Sequence, residues 1–501
     1  MNPSIFRAYD IRGLYPQEID EPAVYAISRA YIRFLRQKPQ PQTLNPKSQT
    51  HELTIALGKD VRTSSPSLWR AAARGLTDEG VKVIDIGTIS TDMLYFAVGK
   101  YGYDGGITIS ASHNPAEFNG MKIVREDAIP ISSDSGLFAI RDIAKEIPST
   151  KKQIAYKISR RPDENIGGRD PDIGRSSGQI LNSEIEEKDV MAAYTEHNLS
   201  FIDRKKIKPF KVVINANFGM AGVAAKAIVK QGKLPVELVE LNCQPDGSFP
   251  KGRPDPLIPD NRHETSALIK KTNADLGVAW DADADRCFFF NEKGEFVTPA
   301  FMTSLMAAHL LKKVGGPDAL RGRGKEKIIN DTRIFWPVKD TVETHGGELV
   351  LTKAGHTFIK ERMRAEDGLF GAETSAHYYY RDNFYADNGM ISFLLALEIL
   401  SEKKQKLSAI IKEFQKKYAV SDEINFTVSD PEKVLASFKK KYAKADIDAR
   451  DGLSINFKDW RFSLRSSNTE ACIRLNVETR GDYQLLKQKV DDLSQEISSE
   501  N

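Results

Sequence analysis

Gly106-Ile107-Thr108-Ile109-Ser110-Ala111-Ser112-His113-Asn114-Pro115 joins a short apolar, β-rich run to a polar turn. Asn114 is placed to cap a helix, Pro115 to be its first residue and Glu117 its third, an approximate capping box. That grammar predicts a strand–turn–helix unit with Ser112 just outside a helix N-terminus. Outward N–H groups and the helix dipole favour an anion there. Most turn serines only satisfy backbone groups. A hydroxyl in this place can also carry, give and take a phosphoryl group.

Working outward, Leu53–Leu57, Val81–Ile86 and Gly106–Ser110 read as buried strands, and Pro66–Leu76 and Thr91–Val98 as helices. Such alternation predicts βαβ units and a mostly parallel sheet. The rhythm returns twice. Strand Lys211–Asn215, a Gly219–Gly222 turn, helix Ala224–Lys230 and strand Pro235–Leu241 form one recurrence. Strands Lys327–Asn330, Glu348–Leu351 and Leu369–Ala372 with intervening helices form the other. From about residue 417 the pattern changes: helix Pro431–Tyr442, strands Leu453–Phe457, Trp460–Leu464 and Cys472–Val477, and a closing helix Tyr483–Ile497. The predicted class is α/β: three βαβ-type mixed-sheet domains followed by a C-terminal α+β domain. Gln37–Gln49 and Ser159–Asn182 are rich in polar residues, Gly or Pro and read as exposed insertions.

Length agrees, because one core rarely grows past about 250–300 residues and this chain has 501. With 40% hydrophobic and 28% charged residues it reads as a soluble globular protein. A net charge of +3 argues against a protein devoted to nucleic acid. Arg204-Lys205-Lys206 and Lys439-Lys440-Lys441 read as solvated faces. Cys243, Cys287 and Cys472 are far apart, with no metal-ligand spacing and no disulfide framework, which fits a reducing compartment. Met1–Arg7 holds no apolar signal core, and no run of about 18 apolar residues predicts a membrane span. A cytoplasmic location is expected.

Asp281-Ala282-Asp283-Ala284-Asp285-Arg286 places three carboxylates at spacing two, a hard oxygen site for Mg²⁺ or Ca²⁺. An EF-hand is the rival, with Glu292 at loop position twelve. It fails because Arg286 stands where glycine is needed and because the flanks, Leu276–Trp280 and Cys287–Phe290, are strand-like. Arg286 beside the triplet suggests that a phosphate meets the metal. Arg465-Ser466-Ser467-Asn468-Thr469 follows a strand and suits a dianionic phosphate, or is a polar hairpin turn. Gly371-Ala372-Glu373-Thr374-Ser375-Ala376-His377 also follows a strand, and Glu373 and Ser375 can bridge neighbouring sugar hydroxyls. Arg7-Ala8-Tyr9-Asp10-Ile11-Arg12-Gly13 offers two guanidiniums near an aromatic ring. His113, His356 and His377 are the histidines inside candidate motifs.

Together these motifs resemble the α-D-phosphohexomutases, and within them the phosphomannomutase/phosphoglucomutase group. The match runs in the family's order through Phe6–Gly13, Ala111–Pro115, Asn119-Gly120-Met121-Lys122, Pro245–Pro250, Pro254-Asp255-Pro256, Asp281–Arg286, Lys353-Ala354-Gly355-His356, Glu373–His377 and Arg465–Thr469. The resemblance implies four domains around a central cleft: residues 1–190 with a phosphoserine loop, 191–296 with the metal loop, 297–416 with the sugar loop and 417–501 with the phosphate loop. It implies an isomerase that moves phosphate between C1 and C6 of mannose or glucose, through phosphoserine and a hexose 1,6-bisphosphate that is both intermediate and activator. Ser112 would carry the phosphoryl group. Asp281, Asp283 and Asp285 would hold Mg²⁺ together with that phosphate on Ser112. Arg12, Lys122 and His113 would act in binding and proton transfer at the reacting phosphate. Substrate would meet Tyr9, Arg286, Arg333, His356, Glu373, Ser375, His377, Arg465, Ser467, Asn468 and Thr469.

The departures from the family pattern are conservative. Ala282, Ala284, Ala372 and Ala376 stand where glycine is common, and Ala471 where proline often follows. The added methyl groups are expected to tighten sugar choice. A phosphoglucosamine mutase, or a non-catalytic sugar-phosphate or Ca²⁺-binding protein on the same scaffold, is the alternative. The expected partners are hexose phosphates, without nucleic acid or membrane, on a monomer or dimer.

Overall fold

The structure, a computed structural model, describes residues 1–37, 52–148, 185–315, 324–466 and 472–500. Ser159–Asn182, most of Gln37–Gln49, and Ser467, Asn468 and Thr469 lie outside the described residues. The described chain forms four sheets. Among the described residues no helix is long and apolar enough to cross a membrane.

The first three sheets repeat one topology that the sequence shows only as rhythm. In the first, Thr54–Lys59 lies between parallel strands Lys82–Thr88 and Gly105–Ile109, and Phe118–Arg125 pairs antiparallel with Gly105–Ile109. In the second, Phe210–Asn215 lies between parallel strands Val236–Leu241 and Leu276–Trp280, and Cys287–Phe290 returns antiparallel. In the third, Lys327–Asp331 lies between Glu348–Thr352 and Phe370–Ala372, and Tyr378–Tyr380 returns antiparallel. Each sheet therefore carries one tight loop between its third parallel strand and the antiparallel return. Those loops are 110–117, 281–286 and 373–377. The fourth sheet is antiparallel, with Trp460–Ser466 paired to Cys472–Thr479 at its centre and helices Pro431–Lys441 and Tyr483–Ser499 alongside.

The helix expected after Ser112 does not form. Only three residues separate Asn114 from the β-rich run Phe118–Arg125, and that run finds a ready partner in Gly105–Ile109. Ser112 instead adopts a left-handed φ of 50°, and the loop curls around one buried guanidinium. Arg62 donates from Nη2 to the carbonyls of Ser112 and Asn114, both at 2.7 Å. From Nη1 it donates to the carbonyls of Pro115 at 2.6 Å and Phe118 at 3.0 Å. Asp60 accepts from its Nε at 3.1 Å. A single side chain thus satisfies four loop carbonyls, whereas the expected helix cap would have satisfied backbone N–H groups. In the second sheet Gly219 serves the metal loop: a Cβ on it would stand 2.0 Å from the Ala282 carbonyl oxygen, so only glycine permits that approach.

One continuous apolar core joins parts of the first three domains, running from Ala56 and Phe96 through Val213, Trp280 and Phe289 to Phe370 and Leu395. The fourth domain has its own core around Phe438, Phe462 and Leu475. It meets the third through a buried polar joint. Arg461 donates to the carbonyls of Thr332 at 2.8 Å and Arg333 at 2.7 Å, and Glu478 accepts from the backbone N–H groups of Phe335 and Trp336.

Between the first and second domains Asp92, fully buried on helix Thr91–Tyr101, accepts from Tyr194 of helix Met191–Leu199. Burial is the main cause that pushes its carboxyl up to about 7, against the hydrogen bonds from Ser90 and Tyr194. A carboxyl raised on folding holds its proton longer in the native state, so the stability linked to it is present below pH 4 and is lost as pH rises to about 7. Thermal melts across that window are predicted to show wild type falling relative to Asp92→Asn by a few kcal/mol, with no divergence above it. Arg62→Met leaves Asp60 Oδ2 and four carbonyls without their guanidinium donor. It is predicted to destabilise the protein by about 3–5 kcal/mol, seen as a lowered urea midpoint.

Candidate active site

The loops of the first two sheets meet at Ser112, and the loop of the third joins them through Asp285 and Arg286. Its Oγ donates to Asp283 Oδ1 at 2.8 Å and lies 3.4 Å from Asp281 Oδ2. Asp281, Asp283 and Asp285 are all but fully buried, and their ligand atoms lie within 4.8 Å of one another. Three carboxylates this close cannot remain ionised without cations. Lys122, on the antiparallel return strand, reaches Asp283 at 2.6 Å and Asp285 at 2.5 Å. Arg286 Nε reaches Asp281 at 2.7 Å. His377 Nε2 lies 3.4 Å from Asp285.

Burial works against the Lys122 ammonium, but Asp283 and Asp285 hold its pKa well above the ordinary lysine value. Lys122 is therefore a cation in this arrangement. Asp285 responds in reverse: burial raises it, and Lys122 and His377 outweigh that and hold it well below the carboxylate range. Asp281 is the least compensated. Burial pushes it well up despite Arg286. The donor set is hard oxygen, and a divalent cation would supply the charge that Asp281 lacks. The residues present thus fit a bound metal ion.

His113 Nδ1 stands 3.1 Å from the Ser112 hydroxyl. Burial first, then Arg286 and Arg12, hold this imidazole well below its usual pKa, so it is neutral. Arg12 holds the same loop from the other side, donating to Asn114 Oδ1 at 2.7 Å, and pairs with Asp10.

The sugar loop is zipped onto the metal loop. Arg286 and His377 form an antiparallel bridge, and Cys287 N–H donates to the Ala376 carbonyl at 3.0 Å. Glu373 accepts from Tyr379 OH at 2.5 Å and Gly355 N–H at 2.8 Å, and lies 3.2 Å from His377 Nδ1. Ser375 Oγ is 3.0 Å from the same nitrogen. Burial lowers the His377 pKa, but Asp285 and Glu373 raise it to about 10, so His377 is an imidazolium linking the two loops. Tyr9 packs edge-on against His356 at 5.4 Å between centroids, and His356 stacks at 6.3 Å on His377. Burial, with Lys360 and Lys122, keeps His356 neutral. Arg333 binds Asp331 at 2.7 Å and lies 3.5 Å from Glu373. Arg465 joins the cluster through Glu423 at 3.3 Å.

The structure thus brings together every expected site residue among those described. The expected effect of the extra methyl groups is corrected. Ala372 and Ala376 are fully buried, and Ala282 and Ala284 nearly so. Ala284, Ala372 and Ala376 belong to the apolar core and offer no surface to a sugar. Several residues escaped the sequence reading. Thr91 donates to Asp283 at 2.6 Å, Asp255 holds Arg286 at 3.2 Å, and Lys360 pairs with Asp387 at 2.8 Å. Asp60 and Arg62, just past the end of a predicted strand, escaped it too, whereas Asp255 stood inside a quoted motif. Thr91 sits at a helix start and Lys360 in the second turn of helix His356–Glu366, and neither gave a signal of its own.

Comparison with known proteins agrees with this geometry. Four family models match in order: phosphoglucomutase/phosphomannomutase alpha/beta/alpha domains I, II and III over residues 3–151, 192–294 and 298–418, and the C-terminal domain over 423–496. The chain is 40% identical over 492 residues to a Xanthomonas campestris protein named phosphohexose mutases, covering 98% of each. It is 40% identical over 487 residues to a phosphomannomutase of Escherichia coli K12, covering 96% of each. A phosphoglucomutase/phosphomannomutase family protein from Burkholderia thailandensis has a similar crystal structure, with a TM-score of 0.78 at 26% identity over 100% of this chain and 98% of that one. Three loops joined across three sheets, and four domain models matched in the same order, make this chain a member of the phosphoglucomutase/phosphomannomutase family, an isomerase of the phosphohexomutase type.

Proposed function

We propose that the protein interconverts the 1- and 6-phosphates of mannose or glucose, with Ser112 as the phosphoryl carrier and a hexose 1,6-bisphosphate as the bound intermediate. The observation that carries this reading is the Ser112 hydroxyl, 2.8 Å from Asp283 within a buried carboxylate triplet that Lys122, Arg286 and His377 neutralise only in part. Asp281, Asp283 and Asp285 would hold Mg²⁺, which supplies charge neutralisation at the transferring phosphoryl group.

In the forward half-reaction the P–Oγ bond of phosphoserine breaks and a P–O bond to the free C6 or C1 hydroxyl of the hexose phosphate forms. The proton of that hydroxyl leaves to a base in the site, and the departing Ser112 Oγ takes up a proton in its place, with His113 Nδ1 3.1 Å away. The bisphosphate then presents its other phosphate to Ser112, the reverse transfer restores phosphoserine, and the isomeric monophosphate departs. Lys122 and Arg286 supply fixed positive charge at the reacting phosphate, which is the main work of such sites. Glu373 and Ser375 would hold ring hydroxyls. Their contacts are expected at positions that mannose and glucose share, so both epimers are accepted. Arg465 would take the distal phosphate. Tyr9 and His356, stacked in turn on His377, would contact the sugar beside Glu373.

Intact mass spectrometry after incubation with a hexose 1,6-bisphosphate is predicted to show one phosphoryl adduct on wild type and none on Ser112→Ala. A wild type that never carries the adduct contradicts the reading. Chelation of divalent ions is predicted to abolish turnover and Mg²⁺ to restore it. Asp283→Asn is predicted to lose about 10³-fold or more in kcat with little change in substrate binding, because its role is confined to the transfer step. The ratio of kcat/KM for mannose 1-phosphate and glucose 1-phosphate is predicted to lie within about tenfold of unity.

A further inference from the structure

Pro254-Asp255-Pro256 has no task in the reaction as proposed. Each proline fixes its own φ, and a residue before proline is held to extended backbone, so the chain presents Asp255 in one conformation. The turn is clamped further. Asp255 N–H donates to the Arg253 carbonyl at 2.9 Å. Asn261 Nδ2 donates to the carbonyls of Arg253 at 2.8 Å and Asp255 at 2.9 Å. Arg262 donates from Nε to the Pro256 carbonyl at 2.9 Å and from Nη2 to the Leu257 carbonyl at 2.5 Å. Asp255 is buried, and a buried carboxylate held this firmly can fix a partner in turn.

The partner is Arg286. Asp255 Oδ1 accepts from its Nη1 at 3.2 Å and from Leu257 N–H at 3.1 Å. Asp255 Oδ2 lies 3.2 Å from Arg253 and 3.9 Å from His113 Nε2, and the second distance is too long for a hydrogen bond. Arg286 is itself buried, and its Nε donates to Asp281 Oδ2 at 2.7 Å. The same Asp281 oxygen lies 3.4 Å from Ser112 Oγ, so guanidinium and hydroxyl flank one atom. Arg286 Nη2 is buried, and no group among the described residues accepts from it. A buried guanidinium N–H without an acceptor is costly and rare, and its place near Ser112 points to an anion there. Asp281 is a weak anchor for this arm, because its oxygens also belong to the triplet that fits a metal ion, and a cation would compete with Arg286 for them. Asp255 lies outside that triplet and holds Arg286 without such competition.

We infer that Asp255 is a positioning residue for phosphoryl transfer: it anchors Nη1 of Arg286 so that Nη2 is presented to an oxygen of the phosphoryl group carried by Ser112. The inference rests on the reading of Ser112 as the phosphoryl carrier. As an anion Asp255 would repel a phosphate, so it acts through Arg286. Its effect falls on the transfer step, where charge on the phosphoryl oxygens must meet donors that are already in place.

Full-length wild type, Asp255→Ala, Arg286→Lys and the double variant would be compared in a mutant cycle. Transfer from phosphoserine to glucose 1-phosphate is followed by intact mass with Mg²⁺ present. Asp255→Ala is expected to slow it about 10²-fold while KM stays within about threefold of wild type. In the Arg286→Lys background the same substitution should cost less than about threefold. Equal losses in both backgrounds would overturn the inference, because an aspartate that only stiffens its turn acts without regard to Arg286. The ³¹P resonance of phosphoserine, recorded in EDTA, gives a second reading that needs no turnover. Asp255→Ala is expected to move it in the direction that Arg286→Lys does, and the double variant to move it no further than Arg286→Lys. A resonance that Asp255→Ala leaves in place also overturns the inference. If Asp255→Ala folds poorly, Asp255→Glu, which keeps the charge but moves the carboxylate by one methylene, takes its place in the cycle and is expected to show the same dependence on Arg286. A wild type that never carries phosphoserine refutes the proposed reaction and this inference with it, whereas phosphoserine with additive effects refutes the inference alone.

Discussion

Three aspartates with almost no access to water cannot stand together unless positive charge is brought to them, and that requirement organises the molecule. Asp281, Asp283 and Asp285 come from one loop of the second domain. Lys122 comes from the first domain, His377 from the third, and Arg286 from the loop itself. The attraction between groups on different sheets is a long-range constraint on how three domains pack. It acts together with the continuous core beneath them. Removing any one cation leaves a buried carboxylate uncompensated, which costs several kcal/mol.

A second chain of contacts extends the same electrostatics to the fourth domain. His377 and Glu373 tie the metal loop to the sugar loop. Arg333 lies beside Glu373, and Glu423 carries the chain onward to Arg465. The backbone of Arg333 is itself held by Arg461 of the fourth domain. A substrate that spans the distance between its two phosphates would therefore touch both ends of one connected charge network. This gives a physical reason for the fourth domain to keep a separate core: it is joined to the third at a polar surface.

The α/β rhythm and the terminal α+β segment were legible because buried strands and amphipathic helices leave local periodic signals. The bounds of loop 281–286 were legible for the same reason, since its two flanking strands, Leu276–Trp280 and Cys287–Phe290, occur where the apolar runs place them. The Ser112 loop was misread as a helix start. Asn114, Pro115 and Glu117 do have capping chemistry, but the partner that decides their conformation, Arg62, is about fifty residues away in sequence. The alanines at glycine positions were misjudged for a related reason. Ala284 and Ala376 take left-handed φ values of 60° and 67° and still pack into the interior, so their methyl groups face the core instead of the cleft. Glu423 gave no signal at all, because a lone glutamate acquires meaning only when two strands bring arginines to it.

Passage of the phosphoryl group from Ser112 to sugar and back is read by a rapid-quench single turnover with protein labelled by ³²P on Ser112 and mixed with excess unlabelled glucose 1-phosphate and Mg²⁺. Label is expected to leave the protein and appear first in glucose 1,6-bisphosphate, then in glucose 6-phosphate, at a rate no slower than kcat. Label that remains on the protein through many turnovers, or that is released only as inorganic phosphate, would contradict transfer from Ser112 to sugar.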